Sequence, residues 1–247
     1  MPRFFVSPEA LAEDTVTLTG EDCRHIALSL RMAVGDTVTL SDGEGREALC
    51  RLCRITTDCV EVEVLSRAEG NGELPVSVFL YQGMPKGDKL ELIVQKAVEL
   101  GAAEILPFES CRCVTRIRAE RTAKQTERLS RVAREAAGQC GRSRLPAVRE
   151  PLSFSAALAD ARARADLLLF CYEAEQEKSL KKTLEQAKAQ GIARIALFVG
   201  SEGGFSPEEA AAAVAAGAVS VTLGTRILRC ETAPMFALSC IVYTYEL

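Results

Sequence analysis

Apolar and polar residues alternate in short runs over the first seventy positions. Residues 37–40 (TVTL), 48–55 (ALCRLCRI) and 59–65 (CVEVEVL) show the period of two that turns one strand face to a core and the other to water. Asp42, Gly43, Glu44 and Gly45 supply a turn between the first two runs. A small β-barrel domain over residues 1–70 is the expected result. Residues 68–75 (AEGNGELP) then combine two glycines, an asparagine and a proline, a composition suited to a linker, so the domain boundary is expected there.

Beyond it the pattern switches to strand and helix in turn. Strands are predicted near 76–82, 104–108, 166–172, 194–199 and 219–223. Helices are predicted near 87–100, 117–138, 153–165, 178–190 and 207–216, with a last one from about 234. Such alternation predicts an α/β domain over 75–247, with a mostly parallel sheet covered by helices and ligands beyond the carboxyl ends of the strands. Residues 235–243 (MFALSCIVY) have almost no polar face. That helix must be covered on more than one side, and a homodimer interface would cover it.

With 247 residues, 48 % hydrophobic and 26 % charged, the chain is composed as a globular protein rather than a disordered or fibrous one. Its longest uncharged stretches, 210–225 and 232–245, fall short of the ~20 apolar residues of a spanning helix. The N-terminus lacks an apolar core and a cleavage site for export, so a cytoplasmic protein without membrane contact is expected. Ten cysteines should then stay reduced. Cys50 and Cys53 have CxxC spacing, but no second CxxC exists and His25 is the only histidine, so packing thiols are expected rather than a metal site.

The net charge of −4 conceals an asymmetry. Residues 110–149 carry eleven basic side chains, ten of them arginine, against three acidic ones. The planar guanidinium fork suits phosphate, so a polyanionic partner is expected along Arg112, Arg116, Arg118, Arg131 and Arg134. A solvated helix face is the plainer reading of the same charges. Arg3, Arg24 and Arg31 add candidate contacts in the barrel, where thirteen acidic residues against seven basic ones leave room only for local, shape-dependent contact with such a partner.

Two strand-to-helix connections carry the candidate chemistry. In the first, 199–209 (VGSEGGFSPEE), Ser206, Pro207 and Glu209 read as an ordinary helix start with a capping box. Gly200, Gly203 and Gly204 around Glu202 are left over, and glycines there let backbone approach a ligand. Neither GxGxxG nor the P-loop lysine is present, which disfavours a dinucleotide oxidoreductase and a P-loop nucleotide site. The second connection, 223–234 (LGTRILRCETAP), holds one glycine, two arginines and a threonine cap at Thr232, with helix capping as the competing explanation for Glu231 and Thr232.

At these residues the sequence resembles the bacterial RsmE group of 16S ribosomal RNA uridine-N3 methyltransferases, of the SPOUT superfamily. The resemblance spans nearly the whole chain. It rests on Pro2, Arg3, Phe4 and Phe5, on His25 to Arg31 followed by Gly35 and Asp36, and on Lys86, Gly87, Asp88 and Lys89 leading to 95–101 (QKAVELG). It continues through 135–142 (EAAGQCGR), 200–205 (GSEGGF) and 223–233 (LGTRILRCETA), with Ser201 where the family usually has proline.

The resemblance implies a PUA-like β-barrel, a SPOUT domain with a trefoil knot, dimerisation, and S-adenosylmethionine held by the knot. Val199, Gly200, Glu202, Gly203, Leu223, Gly224, Ile227, Leu228, Arg229, Thr232 and Ala233 would line the cofactor pocket. The implied reaction is methylation of uridine N3 in 16S rRNA of the small subunit. It needs the N3 proton to leave and the base to be unpaired or extruded. Arg142 or Arg229 is expected to stabilise the uracil anion, with Glu202 ordering the loop or helping proton removal. Two alternatives stay open at this point: another SPOUT methyltransferase acting on tRNA or a different rRNA base, and a non-catalytic RNA-binding assembly protein.

Overall fold

The structure is a computed structural model that describes residues 1–117 and 119–247, with the side chains of 119 and 121 outside the description. Arg118, one of the arginines expected to meet RNA, lies outside the described residues.

Alternating burial builds the first unit. In β4 (Arg46–Ile55) Ala48, Cys50 and Leu52 are buried while Arg51 and Cys53 face water. Cys50 and Cys53 therefore sit on opposite faces, and burial pushes the Cys50 thiol up to about 11. β1 (Arg3–Phe5), β2 (Thr15–Thr19), β3 (Thr37–Ser41) and β5 (Cys59–Glu69) complete a five-stranded sheet in the order β1-β3-β4-β5-β2. Register shifts between β4 and β5 mark bulges, which bend a sheet and increase its twist. α1 (Pro8–Ala12) follows a Ser7 cap, and α2 (Glu21–Arg24) runs into a π-turn at His25–Ser29 that places Ile26 in the core.

This unit is not contiguous. Residues Met1–Glu73 pack together with Ala137–Leu145. The returning segment is tied by Ser41 Oγ donating to Ser143 O at 2.7 Å and by Leu145 N–H donating to Gly43 O at 2.9 Å. A Cβ on Gly70 would fall on the Ser143 side chain, and one on Gly72 would sit 2.7 Å from Gly141 O. The glycines of the expected linker thus permit close packing against a distant stretch of chain.

The second unit comprises Leu74–Ala136 and Pro146–Leu247. Its sheet holds β6 (Ser77–Gly83), β7 (Glu104–Glu109), β8 (Ala147–Val148), β9 (Leu152–Ser153), β10 (Leu167–Cys171), β11 (Arg194–Val199) and β12 (Val219–Val221). The strand order is β12-β10-β11-β6-β7-β8, with β9 beside β7, and every pairing is parallel. The intervening helices are α3 (Lys89–Glu99), α4 (Ala119–Cys140), whose last four residues belong to the first unit, α5 (Phe154–Arg164), α6 (Leu180–Ala189), α7 (Pro207–Ala215) and α8 (Thr232–Tyr245). The arrangement is the α/β class expected from the alternation. An aromatic core fixes the sheet: Tyr81 stacks on Phe198 at 4.5 Å, and Phe205, from the loop after β11, sits 4.2 Å from Phe170.

Candidate cofactor cleft

The loop after β11 is locked at both ends. At its far end Ser206 Oγ accepts from Glu209 N–H at 3.1 Å and Glu209 Oε2 accepts from Ser206 N–H at 3.0 Å, the expected capping box. Glu209 Oε1 also accepts from Cys111 N–H at 2.7 Å, and buried Phe205 anchors the turn. At the near end Gln82 Nε2 donates to Gly200 O at 3.2 Å, and Gly204 N–H donates to Ser201 O at 3.0 Å. Gly83, closing β6, lies so near that a Cβ on it would stand 2.6 Å from Ser201 N.

The loop after β12 turns at Gly224, whose φ of +113° favours a residue without a side chain. Thr222 Oγ1 accepts from Gly224 N–H and donates to Gly224 O, each at 3.2 Å. β12 stops at Val221 rather than near 223 because this turn takes the chain out of the sheet. Arg229 O accepts from Thr232 N–H and Ala233 N–H, both at 2.9 Å, which starts α8 two residues earlier than expected.

The two loops line one cavity of ≈ 610 Å³. It contains ten of the eleven expected cofactor residues: Val199, Gly200, Glu202, Gly203, Leu223, Gly224, Ile227, Leu228, Arg229 and Ala233. Thr232 is the exception. It faces water as the first residue of α8, with its N–H used by the helix start.

Lys89 joins the two loops, a role its place in the resembling motif did not reveal. Its Nζ lies 2.9 Å from Glu202 Oε1, 3.4 Å from Glu231 Oε2 and 3.9 Å from Cys230 Sγ. Partial burial pushes the Glu202 carboxyl up, but the Lys89 hydrogen bond and backbone amides, Lys86 N–H among them, outweigh it and hold the pKa at about 2. The Lys89 ammonium is raised in turn, chiefly by its hydrogen bond to Glu202. Burial and the bond to Glu231 push the Cys230 thiol up to about 12, so it is protonated and unreactive at neutral pH.

The expected catalytic residues separate. Arg229 is at the cleft with 84 % of its side chain exposed and its nearest carboxylate, Glu231, 4.0 Å away. Glu202 is bound to Lys89, and a group with a pKa near 2 is a poor proton acceptor at neutral pH, so its geometry suits the loop-ordering role. Arg142 does not line the cleft. It is 4 % exposed within the first unit, with Nη2 2.6 Å and Nε 3.2 Å from Glu73 Oε2. That carboxylate engages its guanidinium inside the first unit.

Arg3 is likewise largely withdrawn from solvent, bound to the Glu47 carboxylate and donating to Arg142 O at 3.2 Å, so it supports the fold rather than offering a free fork. Arg24, Arg31, Arg112 and Arg131 are exposed, and Arg134 is half-buried. Arg116 is exposed but paired with Glu109 at 2.7 Å.

These features define a class: a parallel α/β unit with a ligand cleft at the strand ends, in a chain that also carries a small curled β unit. Residues 72–242 match the family model of an RNA methyltransferase domain, and residues 18–65 that of an RNA methyltransferase PUA domain. Ribosomal RNA small subunit methyltransferase E of Bacillus subtilis is 35 % identical over 100 % of this chain and 98 % of its own. The protein of that name from Synechocystis is 34 % identical over 96 % of this chain and 76 % of its own. The crystal structure of the Neisseria gonorrhoeae protein of that name, bound to S-adenosyl methionine, superposes with a TM-score of 0.85 at 30 % identity, covering 99 % of this chain and 98 % of that one. The chain belongs to the ribosomal RNA small subunit methyltransferase E family.

Proposed function

We propose that the protein transfers a methyl group from S-adenosylmethionine to N3 of a uridine in 16S ribosomal RNA of the small subunit. The convergence of both glycine-bearing loops on one cleft carries the reading. The residues present fit the cofactor. A ≈ 610 Å³ cavity is of the size that holds a nucleoside derivative. Leu223, Ile227 and Leu228 offer apolar surface to a base, and Lys89 and Glu202 offer charges to a zwitterionic tail.

When bound, S-adenosylmethionine supplies an electrophilic methyl group. The chain's own residues position and polarise. Lys89 ties Glu202 to Glu231 and so holds the two loops in register around the cleft. Glu202, ionised throughout the physiological range, orders its loop through Lys89 and Lys86 N–H. Arg229, largely exposed and only distantly paired with Glu231, presents its guanidinium to the negative charge that develops on the uracil ring as the N3 proton passes to solvent water. Arg24, Arg31, Arg112 and Arg131 supply phosphate contacts that set the register of the RNA.

The same reading includes a knotted second unit and a homodimer. β12 lies at one edge of the sheet, yet α8, which follows it, packs on both α6 and α3, a return path of the kind a trefoil knot requires. α8 also leaves Phe236 42 % and Tyr243 72 % exposed, an apolar face that a second copy would cover. No helix among the described residues is long and apolar enough to cross a membrane. A ribosomal substrate places the work in the cytoplasm.

The test is incubation with labelled S-adenosylmethionine and undermethylated small subunits or naked 16S RNA, followed by nucleoside mapping. The expected product is 3-methyluridine, and any other methylated nucleoside refutes the assignment. Arg229→Ala is expected to lower the single-turnover rate by about 10²-fold with cofactor affinity little changed.

A further inference from the structure

The loop after β11 contains two buried polar atoms that make no hydrogen bond among the described residues: Ser201 Oγ and Gln82 Oε1. They flank one peptide. Gln82 is fully buried and spends its Nε2 on Gly83 O and Gly200 O, while Ser201 follows Gly200 directly and is only 6 % exposed. A buried hydroxyl left unpaired destabilises a fold, because it loses its bonds to water and gains nothing in exchange. Loop closure does not require it, since the turn is made by the backbone bond from Gly204 N–H to Ser201 O. Ser201 is among the residues that line the cleft, but its Oγ is shielded from solvent in the ligand-free protein, so a ligand reaches it only as the loop shifts; Gln82 is not among the lining residues.

We infer that Ser201 is a cofactor-binding residue whose hydroxyl is satisfied only when the nucleoside donor occupies the cleft. The inference rests on the cofactor proposed above. A hydroxyl both donates and accepts, so it suits a neutral polar edge, such as a ring nitrogen or sugar hydroxyl, better than it suits the sulfonium. It therefore pairs with atoms that S-adenosylmethionine shares with its demethylated product, S-adenosylhomocysteine. Ser201 contributes affinity for both ligands and no selectivity between them. It also draws the loop toward the occupied state, at a cost to the empty one.

The two effects have opposite signs in one variant. In Ser201→Ala the unpaired hydroxyl is gone, so the thermal midpoint of the ligand-free protein rises by roughly 2–4 °C. Titration calorimetry with S-adenosylmethionine and with S-adenosylhomocysteine should show both dissociation constants weakened by roughly 3- to 12-fold. Ser201→Thr, which keeps the hydroxyl, should restore most of the affinity. Unchanged affinity for both ligands in Ser201→Ala overturns the inference while leaving the cofactor assignment intact. A midpoint that falls together with the affinity also overturns it, since the hydroxyl would then be holding the loop itself. Loss of affinity for S-adenosylmethionine alone assigns the contact to the sulfonium and refutes the shared edge. If the wild-type protein binds neither ligand, the cofactor assignment fails and this inference with it.

Discussion

Removing the Arg142 guanidinium should destabilise the first unit. Arg142 and Glu73 are separated by 69 residues, and their side chains are 5 % and 18 % exposed. Glu73 also accepts from the N–H groups of Ser143 and Arg144 at 3.1 and 2.9 Å, so one carboxylate gathers the whole turn of the returning segment. Breaking a buried ion pair by deleting one partner costs roughly 3–5 kcal/mol. Glu73 keeps two backbone donors and some contact with water, which lowers the expected cost of Arg142→Met to about 2–3 kcal/mol. Urea unfolding followed by probes in the first unit should show its midpoint falling by roughly 1–2 M at unchanged m. A cycle with Glu73→Gln should return a coupling energy of about 2 kcal/mol. Methyl transfer measured at low temperature, where the variant stays folded, should be reduced much less than in Arg229→Ala. A wild-type urea midpoint combined with abolished methyl transfer would refute the structural role and restore Arg142 to the chemistry.

Other outcomes follow from the same contacts. Lys89→Met leaves Glu202 and Glu231 without their shared cation; the Glu202 carboxyl should titrate closer to its ordinary 4.5, readable by carboxyl-resolved NMR, and cofactor affinity should fall several-fold. Glu202 has a folded-state pKa of about 2 against 4.5 unfolded, so its stabilising contribution is complete above about 4.5 and disappears as pH falls toward 2. Glu202→Gln should accordingly be less stable than wild type at neutral pH, with the difference closing over that acid window in pH-dependent thermal scans. Gly70→Ala forces a Cβ into Ser143 and should destabilise the first unit by about 1–3 kcal/mol in urea unfolding while leaving cofactor affinity unchanged.

Legibility followed the range of the interactions. β11 occurs at 194–199 as expected, because the apolar run 195–199, bounded by glycine, is a local signal. The α7 start was equally readable, since its capping box lies within four residues. Both loops announced themselves by glycine and charge next to strand ends, and they do share one cleft. Contacts between distant residues left no trace. Nothing near residue 70 shows that Gly70 and Gly72 make room for residues 141–143. Nothing near Arg142 shows that Glu73 holds it. Parallel pairing of β1 with β3 and the Lys89 bridge between loops were hidden for the same reason.

The return of Ala137–Leu145 to the first unit bears on how the chain emerges from the ribosome. Translation delivers an amino-terminal sheet that lacks one of its packing partners, and more than half of the polypeptide must be synthesised before that partner arrives. At about 5–20 residues per second, the wait lasts several seconds, far longer than hairpin formation. The sheet of the first unit therefore matures late although it is made early, and a fragment ending at residue 75 should emerge only partly folded.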